Sequence, residues 1–163
     1  MVILKIEGVD GEYPGTDMPE LAKGIQLTSI NWGASTMLSR SAAGFAAGTA
    51  TFDRISFSKS LDKATGKLME YCATGEPIKS ATIYYLRTGS MAEGKYITMR
   101  VELQTIIVSG YSLNGSTGGD PGESISLSPA KVKFIYQPLD EKGKRAPSVM
   151  GEWDLAQSLG SRA

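Results

Sequence analysis

The chain has 163 residues, 41% of them hydrophobic and 21% charged, a composition that gives one domain with a real core and leaves little room for a second. Lys plus Arg and Asp plus Glu both number 17, so the formal net charge is zero; this is not the basic excess of a protein that coats phosphate backbones, and no net repulsion opposes self-association. Histidine is absent and Cys72 is the single cysteine, which excludes Ser-His-Asp and Cys-His catalysis, histidine-ligated zinc and an internal disulfide.

A period of two dominates the pattern. Val2 to Ile6 opens a strand that stops at the turn-like Gly8-Val9-Asp10-Gly11, and the polar stretch from Glu12 to Lys23, with Pro14 and Pro19, reads as a loop. Gly24 to Ser35 is the next expected strand; Ile25 and Leu27 fall on one side and Ile30 and Trp32 on the other, so a bulge or strong twist lies between them. Met37 to Gly48 is rich in Ser, Ala and Gly and has no period, so residues 36–48 are expected to form an extended loop that packs against something else. Thr49 to Ser58 is a strand anchored by Phe52, Ile55 and Phe57.

One amphipathic helix follows. Asp62 or Thr65 can cap its start, Gly75 and Pro77 end it, and Leu61, Leu68 and Cys72 form its apolar stripe. Strands return at Ser80 to Arg87 and at Lys95 to Ser109, the latter with Ile97, Met99, Val101 and Leu103 on one face and both faces apolar after Gln104. Leu113 to Gly122 reads as a hairpin loop. Glu123 to Gln137 is the last long strand, and its phase flips across Ser128-Pro129, which marks a bulge or an edge. Val149 to Leu155 is a final strand around Trp153, before a polar tail over 156–163. The sum is a mainly β protein: a single β-barrel of two sheets, about eight strands, with one α-helix packed alongside. No apolar run approaches the ~20 residues of a membrane helix, and no signal peptide is visible at the N-terminus, so the expected location is the cytoplasm with no membrane insertion.

The motifs that could carry chemistry do not assemble into a site. Thr65-Gly66-Lys67-Leu68 lacks the first glycine and the hydroxyl of a phosphate-binding loop, and no helix follows the glycine-rich Gly115 to Asp120. Ser56 and Lys59 are three apart on a strand and so point to opposite faces, while Lys63, three after Ser60, is expected to be solvated. Asp10, Glu12, Asp17 and Glu20 lack the spacing of a calcium loop. No enzyme, cofactor or metal is expected. What remains is long strands with polar faces of Thr, Ser and Gln, and a small-residue loop, in a barrel whose unmatched edges tend to find partners.

Several motifs resemble the haemolysin-coregulated protein (Hcp) family of type VI secretion systems. Leu4-Lys5-Ile6-Glu7-Gly8-Val9-Asp10-Gly11-Glu12 is similar to the family's opening, and Trp32-Gly33 to its Ser-Trp-Gly segment. Ile55-Ser56-Phe57-Ser58-Lys59, Asp62-Lys63, Lys67-Leu68 and Cys72-Ala73-Thr74-Gly75 resemble its strand-to-helix block. Val108-Ser109-Gly110-Tyr111-Ser112, Gly118-Gly119-Asp120 and Glu123-Ser124-Ile125-Ser126-Leu127 resemble its glycine-rich hairpin and last long strand.

The resemblance implies homo-hexameric rings stacked into an inner tube. That tube is propelled by a contractile sheath, with a VgrG-type spike and baseplate proteins as partners and effector proteins held in the ring lumen. It implies assembly in the bacterial cytoplasm followed by injection, and no nucleic-acid partner. Asn31 stands where the family often has serine facing cargo; Ser41, Ala43, Gly44, Phe45 and Gly48 in the loop and Gly115, Gly118 and Asp120 in the hairpin are the expected assembly residues. A dedicated ring-shaped effector carrier and a phage-type tail tube are the alternative readings.

Overall fold

The computed structural model describes every residue except 42–43, 90–93, 116, 118, 141–143, 156–158 and 162–163, with side-chain surroundings described for the remainder apart from 39–41, 45–47, 49 and 159–161. Among these the strands are β1 (Val2–Ile6), β2 (Ile25–Leu27), β3 (Ser29–Asn31), β4 (Ala34–Ser41), β5 (Gly44–Phe52), β6 (Ile55–Ser60), β7 (Ile78–Thr88), β8 (Lys95–Asn114), β9 (Gly122–Tyr136), β10 (Val149–Asp154) and β11 (Leu159–Ser161), with one α-helix, α1 (Thr65–Thr74). Antiparallel pairing runs β2–β1–β7–β8–β9–β6–β3. Only Thr28 separates β2 from β3, so this path returns on itself as a near-closed barrel. The two-stranded β4–β5 sheet leaves the barrel between β3 and β6, and β10 with β11 extends it beyond β9.

Inward positions fill the barrel with aliphatic side chains: Leu4, Ile25, Leu68, Ile106, Ile125 and Leu127 have no exposed surface. Each such burial contributes about 1.5–3 kcal/mol. The segment 12–23, read from sequence as a polar loop, also buries Tyr13, Met18 and Leu21 against Ile3 and Leu86, in a second cluster outside the barrel wall. Its prolines conceal this role, because the buried residues follow no strand or helix period.

The two longest strands change phase at the same level. In β8 the buried positions are Val101 and Leu103, then Ile106 and Val108, and the phase turns at Thr105, φ +48°, with the register to β7 and β9 unbroken there. In β9 the flip follows Pro129, which pairs with Ile106. Residues 122–127 of β9 pair with β6 and residues 131–136 with β10, so Pro129 sits in the short stretch with a ladder partner on one side only, where a missing N–H costs least.

Helix α1 packs against β8 and buries Leu68, with Ala64 buried just before it. Asp62 and Thr65 share its start: the Asp62 carboxylate accepts from the Ala64 N–H (2.9 Å), and the Thr65 hydroxyl oxygen accepts from the Asp62 N–H (3.1 Å). Gly75 ends it at φ +69°, its N–H donating to the Tyr71 carbonyl at 3.0 Å. Leu61 lies outside the helix and is 43% exposed, so the apolar stripe is narrower than expected.

Three expectations change. Residues 36–48 are not a loop: most lie in the β4–β5 hairpin, which turns next to Gly44 at φ +119° and has a register shift between Thr36 and Leu38. The sequence shows no apolar period there, and the described residues 34–38, 44 and 48 are all exposed. The expected strands 24–35 and 49–58 each divide, at Thr28 and at Asp53–Arg54, which with the hairpin raises about eight strands to eleven. Within the expected 156–163 tail, β11 pairs with β10.

Candidate assembly and lumen surfaces

Asn31 ends β3 and is exposed. Cross-strand register places it beside Ser56 of β6, which lies beside Ser126 of β9 and then Gly110 of β8. The next row on the same face is Ser29, Ser58, Ser124 and Ser112. Ile55, Phe57, Ile125 and Leu127 point inward between these rows, so the alternation of strands sends every serine outward. The result is a four-strand patch of Ser, Asn and Gly without a charge. Its hydroxyls partly satisfy one another: Ser56 Oγ lies 3.0 Å from Ser126 Oγ, and Ser128 Oγ donates to Ser109 Oγ at 2.9 Å. Beyond Ser128 the outer positions of the same strands become charged, with Lys131, Lys133, Glu102 and Arg100. The sequence contained this signal as alternating serines in 56–60 and 124–128; only strand register assembles them into one surface.

The hairpin is a different kind of surface. Met37 is 82% exposed and Leu38 67%. Gly44 lies at its turn, and Ser41 pairs with Gly44 as Arg40 pairs with Phe45. A Cβ on Gly48 would stand 3.0 Å from the Met37 carbonyl oxygen, so glycine lets the irregular register close. At its root Phe52 meets Trp153 of β10, ring centroids 5.5 Å apart, while Trp32 stacks on Phe134 at 4.4 Å. Gly115 and Asp120 are exposed in the connection between β8 and β9. Ala43 and Gly118 lie outside the described residues. Asn31 thus belongs to the serine patch, Ser41, Gly44, Phe45 and Gly48 to the arm's strands, and 115 and 120 to a strand connection; these described residues lie on separate elements.

One buried polar cluster was missed in the sequence. Lys59 shares the inward face of β6 with Ile55 and Phe57, and its side chain has no exposed surface. Its ammonium pairs with Glu123 of β9, equally buried, and with Asp62 at 2.7 Å, and donates to the Ser60 carbonyl at 2.9 Å. Glu123 also accepts from the Thr65 hydroxyl at 3.0 Å and from the Tyr111 hydroxyl at 2.5 Å. Burial, then the bond to Glu123, pushes the Tyr111 phenol up to about 12. Both Glu123 oxygens and the ammonium are engaged, so this cluster ties α1 to β6, β8 and β9. Ser56 faces the opposite side, as strand alternation requires, and Lys63 is exposed. The N-terminal acids are split between solvent and ion pairs, Asp10 with Lys23 at 3.0 Å and Asp17 with Lys95 at 2.6 Å. Among the described residues no group of three or more His, Cys, Asp or Glu is placed to hold a metal, and no helix is long and apolar enough to cross a membrane.

The chain thus combines a near-closed barrel, a neutral hydroxyl face and a protruding hairpin, the frame of a structural subunit. Residues 3–136 match the family described as type VI secretion system effector, Hcp, and the chain belongs to that family. It is 31% identical over 107 residues to protein hcp1 of Pseudomonas aeruginosa, a match covering 64% of this chain and 65% of that protein, just under two thirds of its length. The solved structure of a type six secretion system protein superposes with a TM-score of 0.87 at 24% identity, covering 98% of both chains. Hcp1 from Salmonella typhimurium gives 0.76 at 24% identity, covering 98% of this chain and 97% of that one.

Proposed function

We propose that this chain is a structural subunit of a type VI secretion inner tube. Copies close into six-membered rings, the rings stack, and the tube, tipped by a VgrG-type spike and seated on a baseplate, is driven out by a contractile sheath. Assembly takes place in the bacterial cytoplasm and the assembled protein is delivered outside the cell. Effector proteins ride in the ring lumen. The observation that carries this reading is the β4–β5 arm. An isolated two-stranded hairpin is marginal in water, and its free edges and exposed Met37 and Leu38 call for a partner. Family membership supports a second copy as that partner, and Gly44, Gly48, Gly115 and Asp120 are exposed.

The serine patch around Asn31 supports a carrier role in the same rings. A neutral hydroxyl face can hydrogen-bond a polypeptide without selecting it by charge. The two roles separate by mutation. In negative-stain images, Leu38→Asp is expected to leave single rings and remove stacks. Asn31→Ala is expected to leave rings and stacks intact while lowering the amount of co-purified effector. A wild-type chain that never forms rings, or a Leu38→Asp protein that stacks normally, overturns the assembly reading.

A further inference from the structure

The strand that closes the barrel leaves one gap. Leu86 donates to the Met1 carbonyl (2.9 Å) and the Met1 ammonium to the Leu86 carbonyl (3.2 Å), so odd residues of β1 direct their main-chain groups at β7 and even ones at β2. Val2 and Leu4 therefore bond Leu27 and Ile25, and Gln26 between them turns its N–H and C=O the other way. Its neighbours on that outer edge are occupied. Gly24 accepts from Tyr13 N–H at 2.9 Å, and Thr28 donates to the Ser58 carbonyl at 2.8 Å. Gln26 has no main-chain partner on this edge among the described residues.

A cavity of about 410 Å³ stands in front of it, with Glu12, Tyr13, Leu61 and Asp62 among its walls. Asp62 is committed to Lys59 and the helix start. Glu12 is exposed and makes no ion pair or hydrogen bond among the described residues. The site thus offers one main-chain donor, one acceptor, one uncommitted carboxylate, and an apolar wall at Leu61, which is 43% exposed.

The chain itself supplies a matching element. Between Gly33 and Asp53 the sequence has a single charge, Arg40. Among the described residues β4 is paired to β5 alone, which leaves its outer edge free. Arg40 follows Leu38 by two residues on that strand. We propose that the Gln26 cavity receives the β4 edge of a neighbouring copy, whose Arg40 meets Glu12 and whose Leu38 covers Leu61. This rests on the reading that the hairpin joins copies, and it names the surface that receives it. The hairpin edge completes the ladder that the barrel leaves open.

The test compares the wild type with Arg40→Glu, Glu12→Arg, the double swap and Gln26→Pro, by sedimentation velocity and negative-stain microscopy. Proline removes only the outward N–H, so the ladder to β1 survives. Each single substitution is expected to lose stacked assemblies while thermal unfolding of the barrel is unchanged, and the double swap to regain them. Loss with Arg40→Glu alone, with Glu12→Arg and Gln26→Pro assembling normally, overturns this acceptor and leaves the hairpin's role standing. Failure of the double swap to restore assembly overturns the Arg40–Glu12 contact. Normal assembly of Arg40→Glu together with Leu38→Asp, or a wild type that stays monomeric at any concentration, overturns both readings. Should Gln26→Pro fail to fold, the charge swap decides alone.

Discussion

Lys59→Met isolates the buried cluster. Methionine keeps most of the lysine's volume, so little cavity cost is added. The substitution leaves the Glu123 carboxylate, without any exposed side-chain surface, facing only the Thr65 and Tyr111 hydroxyls, and Asp62 facing the Ala64 N–H. Removing one partner of a buried pair costs about 3–5 kcal/mol. For a domain of this size that is a fall of about 6–20 °C in Tm, at ~2–4 °C per kcal/mol. A second variant, Lys59→Met with Glu123→Leu, removes both charges of the pair and is expected to recover most of the loss. Urea and thermal unfolding at one fixed protein concentration measure both, since assembly would otherwise shift the midpoint. A Lys59→Met protein that unfolds within ~1 kcal/mol of the wild type would refute the role of this cluster in holding α1 to the barrel, whatever its geometry.

Alkaline stability follows from the same cluster. The Tyr111 phenol is pushed up to about 12 from its ordinary value of 10, so its contribution is complete below pH 10 and is lost as pH rises towards 12. Tyr111→Phe should flatten the stability profile across that window in pH-dependent unfolding; an unchanged slope would mean the hydroxyl is not bonded to Glu123 in solution. Thr105 holds φ +48° with a β-branched side chain, a strained conformation. Thr105→Asn, which tolerates that region better, should raise unfolding stability by about 0.5–1 kcal/mol, and a loss of stability would show that the threonine side chain contributes more than the strain costs.

Most of the barrel was legible because its strands have one dry face. Residues 122–127 of β9 alternate as a half-buried sheet must, and Gly75 ends the helix where the sequence placed it. Composition alone removed histidine chemistry and internal disulfides, and the ordered motifs named the family. Residues 36–48 were not legible as strands, since positions such as Met37, Leu38, Gly44 and Gly48 are exposed and need no apolar period. Nothing in the local sequence marks Lys59 and Glu123 as a pair; each is buried only because β6 and β9 are in register with both side chains turned inward, 64 residues apart in sequence. The serine patch and the Gln26 gap have the same origin. Local sequence determines which residues form strands and which side of each strand is apolar. Which polar residues share a face, and which main-chain groups are left without a partner, depends on pairings between distant segments, and tertiary structure alone decides them.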